Sequence, residues 1–220
     1  GNLDNHRMAD ECLDVYTYDS YPNFAYCLCE EPKNATDLND RKWSRNLTEV
    51  RSVCPHFGIM EQQSGANGWN TRMEAPAPKP GQMTLWAMQS IAHGADYVSF
   101  FRWRTATMGT EIYWHGILDY DNRDNRKLSE VHRIWERTRA IEETSGARFC
   151  ASFGVVRDYD NIWDSQIDVW HNRLAKKSEK EIFTAAQITH TPMDMVYLLD
   201  GTDVEELLKY PVLFYSHPLI

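Results

Sequence analysis

The sequence predicts an α/β fold built on parallel strands, and three observations support it. Strand-like and helix-like patterns alternate along the chain. The run "DYVSFFRW" (Asp96 to Trp103) is apolar on both faces, as a strand is when helices cover both sides of a parallel sheet. Polar residues gather directly after the strand-like runs, and α/β folds build their sites at the C-terminal ends of parallel strands.

Each element has a local reason. "LDVYTY" (Leu13 to Tyr18) is rich in β-formers and stops before Asp19-Ser20-Tyr21-Pro22, where the proline cannot continue a ladder. A helix is expected from Asp40 to Arg51 and a second strand from Phe57 to Met60. In "KPGQMTLWAMQSIAHGAD", Met83, Ala87 and Ile91 share one helical face, and Leu85, Trp86, Met88 and Ala92 make the other apolar, so this helix is expected to be largely buried, with Gly94 as its left-handed cap. The third strand follows. An amphipathic helix then carries Leu128, Val131, Ile134, Trp135, Thr138 and Ile141 on one stripe and ends before Gly146. Past a break near residue 145 the order resumes, with "FGVVRDYDN" as a strand, helices over Ile162 to Lys177 and Ile182 to Thr189, and a strand from Pro211 to Ile220. Two domains are therefore expected, residues 1–145 and 146–220.

Composition narrows the function. The formal charge of −9 provides no basic footprint for phosphate, which argues against nucleic acid as a partner. No run approaches the ~20 apolar residues of a membrane span, so no membrane partner is expected. Five cysteines, an odd number, suit a reducing cytoplasm better than a disulfide scaffold. Cys27 and Cys29 lack a second Cys or His pair at finger spacing, and Asp119, Asp121 and Asp124 lack the glycine and closing glutamate of a calcium loop, so no metal and no cofactor are expected. Two Asn-x-Thr sequons, at Asn34 and Asn46, carry little weight. Eight Trp and eleven Tyr supply flat faces of the kind that stack on sugar rings.

The strand ends hold the candidate residues: Asp19-Ser20-Tyr21, then Glu61-Gln62-Gln63, then Arg102-Trp103-Arg104 with Glu111 and His115 downstream. Glu61 follows Ile59-Met60 and precedes Gly65, Gly68 and Trp69, a setting in which desolvation and hydrogen bonds govern a carboxylate. The plain alternative is a solvated turn residue. Arg102 and Arg104 flank Trp103 and so point to the face opposite it; the plain reading of both is an ion pair with a neighbouring carboxylate.

Together, "DVYTYDSYP", "GIMEQQSGANGWN", "PGQMTLWAMQSIAHGADYVSFFRWR" and "GTEIYWHGILDYDNRDNR" resemble the glycoside hydrolase family 42 β-galactosidases, in that family's order and over residues 10–145. The resemblance implies that residues 1–145 form strands six to eight of a (β/α)8 TIM barrel. Residues 146–220 would then be the start of a flavodoxin-like or Rossmann-like α/β domain through which subunits form homotrimers. It implies Glu61 as the nucleophile of a retaining, double-displacement hydrolysis of β-galactoside oligosaccharides. Tyr21, Trp69, Phe101, Glu111 and His115 would hold the nucleophile and the sugar. Trp114 and His115 compete for the family's histidine position. The family's acid/base glutamate belongs to an Asn-Glu pair after the fourth strand, and no such pair stands in these residues. The chain is accordingly expected to be an internal piece of a longer enzyme, inactive alone. The competing expectations are a non-catalytic carbohydrate-binding or assembly piece, and a related retaining glycosidase such as an arabinopyranosidase.

Overall fold

A computed structural model describes residues 3–23, 41–69 and 75–217; Cys27, Cys29 and Asn34 lie outside them. The chain divides into two compact units. One comprises residues 15–44 and 56–147, the other residues 1–14, 45–55 and 148–220.

The first unit is a three-stranded parallel sheet in the order β1-β2-β3, formed by β1 (Tyr16–Ser20), β2 (Phe57–Gln63) and β3 (Ala95–Phe101). The expected strands are present with shifted ends. β1 starts later and runs on to Ser20. β2 continues three residues past Met60, so Glu61 sits inside the strand's last turn of pleat instead of after it. Pairing explains the extension, because Gln62 and Gln63 are fully buried and are held by the neighbouring strands at Ser20, Phe100 and Phe101. Helix α2 (Arg41–Val53) follows β1, and its Trp43 donates from Nε1 to the buried Ser20 Oγ at 2.6 Å.

Helix α3 (Gln82–Ala92) joins β2 to β3. Its C-terminus is closed by Gly94 at φ 98°, a left-handed conformation that glycine adopts without a Cβ clash. Met83, Trp86 and Ala87 are fully buried, whereas Leu85 is 43% exposed, so burial is one-faced rather than all round. These three pack with Ile117 and with Ile134 of α4 (Arg126–Ala140), supported by Val98, Phe100, Leu128 and Val131. The expected apolar stripe of α4 is narrower than its sequence pattern. Trp135 is 59% exposed, while Lys127 and Glu130 are buried. Buried charge is tolerated here because it is paired. Glu130 accepts from Thr84 N at 3.0 Å and meets Arg126 at 3.0 Å, and Lys127 Nζ donates to Gly116 O at 2.6 Å and to Asp119 at 2.9 Å.

The second unit carries its own parallel sheet, ordered β5-β4-β6, from β4 (Phe153–Asp158), β5 (Met193–Leu198) and β6 (Leu213–Tyr215). It also contains α1 (Asn5–Cys12), capped by Asp4, which no sequence pattern announced. The expected helix pair differs in its break: α5 (Tyr159–Ile167) and α6 (Val169–Ile188) meet at Asp168, whose side chain caps α6 through His171 N. Strand β5 was not anticipated, because "PMDMVYLL" opens on a proline and mixes polar with apolar positions. Its Met193, Met195 and Tyr197 point into a core with Val155, Phe183 and Ala186. A four-residue helix, α7 (Val204–Leu207), leads into β6, which is shorter than the run predicted from Pro211.

Candidate active site

The C-terminal ends of β1, β2 and β3 bring Tyr21, Glu61 and Phe101 to one edge of the first unit's sheet, as parallel pairing dictates. A register shift between Tyr18 and Asp19 sets Asp19 opposite Glu61. The Tyr21 hydroxyl donates to Glu61 Oε2 at 2.6 Å. The Tyr21 phenol is pushed well above its ordinary range, first by burial, then by its hydrogen bond to Glu61 and by that group's charge. Asp19 is raised as well, by burial and by Glu61.

Aromatic rings wall this carboxylate. Trp114 is 5% exposed and meets Tyr21 edge-on at 5.1 Å, Trp69 at 4.8 Å and Phe101 edge-on at 6.4 Å between centroids. Trp69 itself is 44% exposed, leaving indole surface open. The Arg102 guanidinium lies over the Phe101 ring at 4.3 Å and pairs with Glu111, as the sequence led us to expect for that arginine.

The loops beneath are fixed by close backbone approach. Ser64 Oγ donates to Phe101 O at 2.7 Å and lies 3.1 Å from His115 O. A side chain at Gly65 would bring its Cβ to 2.4 Å from His115 O, so only glycine lets the two loops touch there. His115 N donates to Ala66 O at 2.8 Å. Gln63 Oε1 accepts from Asn23 N at 3.0 Å, while its amide donates to Gly65 O at 2.9 Å. Thus the two glutamines after Glu61 serve the scaffold.

Of the residues singled out in the sequence, Glu61, Tyr21, Trp69 and Phe101 converge, and Glu111 joins through Arg102. His115 takes a different direction: its Nδ1 lies 3.3 Å from Asp119 Oδ1 and its ring stands edge-on to Tyr120 at 5.1 Å. Burial raises Asp119, but Lys127 and then His115 outweigh it and hold that carboxyl below its ordinary range. Trp114 is the member that sequence reasoning left undecided. Its pairing with rings after all three strands is a tertiary property with no local signal.

Comparison with known proteins bears on this arrangement. The model of the glycoside hydrolase 42 family, described as beta-galactosidase, matches residues 1–141. The chain belongs to that family. A relative from Clostridium cellulovorans, beta-galactosidase BgaA, is 37% identical over 65% of this chain and 21% of its own length. Beta-galactosidase LacZ of Heyndrickxia coagulans is 29% identical over 96% of the chain and 30% of its own length. Among solved structures, a beta-galactosidase from Halorubrum lacusprofundi superposes with a TM-score of 0.77 at 26% identity, over 97% of this chain and 31% of that one. A beta-galactosidase from Bacillus circulans sp. alkalophilus gives 0.73 at 23% identity, over 97% and 30%. The glycoside hydrolase 42 fold therefore covers nearly the whole chain, as part of a TIM barrel followed by a Rossmann-like part. The chain spans less than a third of these relatives' length. Among the described residues, no helix is long and apolar enough to cross a membrane.

Proposed function

We propose that the full-length protein containing this chain is a retaining β-galactosidase in which Glu61 is the nucleophile. The observation that carries the reading is the 2.6 Å bond from Tyr21 to Glu61 Oε2, at the ends of parallel strands and beside Trp69, Phe101 and Trp114. A carboxylate held by one donor keeps lone pairs for attack. It adds to the anomeric carbon of a terminal β-galactoside, the aglycone leaves with a proton from a separate acid, and water then cleaves the glycosyl ester with net retention.

In this reading Trp69 and Phe101 wall the galactose ring. Glu111, with Arg102, offers charged acceptors and donors to its hydroxyls, and Tyr21 steadies the nucleophile. His115 would reach the sugar only by leaving Asp119. The family's Asn-Glu acid/base pair has no counterpart in these residues, so the 220 residues alone lack the proton donor and are inactive. We further assign residues 1–145 to strands six to eight of the barrel and residues 146–220 to the start of a trimer-forming domain. Among the described residues Cys12 and Cys150 are free thiols, which supports a cytoplasmic setting.

Trapping with a 2-deoxy-2-fluoro-galactosyl inactivator tests the assignment. The labelled peptide of the full-length protein is expected to carry its adduct on Glu61; an adduct on any other residue overturns it.

A further inference from the structure

We propose that Trp114 is a positioning residue for this site, an indole that fixes the Tyr21 hydroxyl on Glu61 and forms the floor shared by Trp69 and Phe101. The inference rests on Glu61 being the nucleophile.

Three observations carry it. First, one indole touches a ring contributed after each of the three strands: Tyr21 following β1, Trp69 following β2 and Phe101 closing β3. Second, Trp114 has little room to move. It is 5% exposed, its backbone N donates to Glu111 O at 3.0 Å, and the next residue is pinned to Ala66 O at 2.8 Å against Gly65. Third, Tyr21 meets it at an interplanar angle of 81°, so the indole blocks rotation of the phenol away from the carboxylate. Since an indole carries a donor and no acceptor and does not titrate, the hollow gains a shaped apolar floor and no additional base at this place. His115 is engaged instead with Asp119 and Tyr120.

If Trp114 acts through Tyr21, removing either residue should forfeit the same interaction. We therefore expect Trp114→Leu and Tyr21→Phe in the full-length protein each to lower kcat/KM by roughly 10- to 100-fold and to move the acid limb of its pH profile upward. The double variant should fall within about 3-fold of Trp114→Leu alone, because that variant already forfeits the Tyr21 interaction. Additive losses, or a loss in KM with the acid limb unmoved, overturn the inference. Should Trp114→Leu fail to fold, Trp114→Phe keeps a ring edge against Tyr21 and enters the same cycle, with a smaller loss expected. An adduct on Glu61 together with additive losses sinks this inference alone, whereas an adduct elsewhere sinks the functional reading on which it stands.

Discussion

Glu61 and Asp158 occupy equivalent places in the two units. Each lies at the C-terminal end of the middle strand of a three-stranded parallel sheet, and each accepts from a tyrosine hydroxyl supplied by the neighbouring strand or its end: Tyr21 at 2.6 Å for Glu61, and Tyr215 at 3.2 Å for Asp158. Their remaining surroundings differ. Asp158 also caps α5 through Asn161 N at 2.7 Å and takes both contacts of the Asn161 amide, at 2.8 and 3.0 Å. Among the described residues Glu61 accepts from Tyr21 alone. The same strand-end carboxylate is thus consumed by the fold in one unit and left open to a ligand in the other. Helix capping makes the difference. β4 runs directly into α5, whose first amides need an acceptor, while β2 runs into a loop in which the Gly65 carbonyl accepts from the Gln63 amide and Asn67 N donates to Ala75 O.

The comparison breaks most directly at the two carboxylates. Glu61→Gln should abolish hydrolysis by the full-length protein, with kcat falling roughly 10³-fold or more while galactose binding persists. Asp158→Ala should instead leave kcat/KM unchanged and lower unfolding free energy by about 1–2 kcal/mol, the cost of a lost N-cap. Steady-state kinetics and denaturant titration on the same pair check both halves, and a stability loss without a rate loss at Glu61 would erase the contrast.

Asp119 sharpens the contrast through pH. Its folded carboxyl lies below its unfolded value, so its contribution to stability is fully present above about pH 4 and disappears as pH falls through the folded value. Thermal unfolding followed from pH 6 to pH 3 should therefore show a steeper loss in the parent than in Asp119→Asn. Equal slopes would mean that Lys127 and His115 do not hold that carboxylate.

The smallest expected effect is at Asp19, raised by burial and by Glu61. A raised carboxyl favours the folded state below its unfolded value and loses that contribution as pH rises. Asp19→Asn should slightly raise the melting temperature at neutral pH and not at pH 3. Removing the negative neighbour should also shift the acid limb of kcat/KM downward, opposite in sign to Tyr21→Phe. A shift upward would show that Asp19 does not repel Glu61.

The class of fold, the three strands ahead of residue 102, the order of elements from β1 to α4 and the family were legible in the sequence alone, because these depend on local pattern and on motifs carried by contiguous residues. Glu61 and Tyr21 were legible as strand-end polar residues, and Arg102 as half of an ion pair. Strand β5, the break between α5 and α6, the solvent-facing Trp135 and the buried Lys127 were decided only in three dimensions. Partners distant in the chain, such as Gly116 O with Lys127 and Thr84 with Glu130, determine what burial costs. That Trp114, and not its neighbour His115, packs on the rings of Tyr21, Trp69 and Phe101 belongs to the same group. Adjacent residues in a loop look alike to any periodicity, and only packing against three separate strand ends tells them apart.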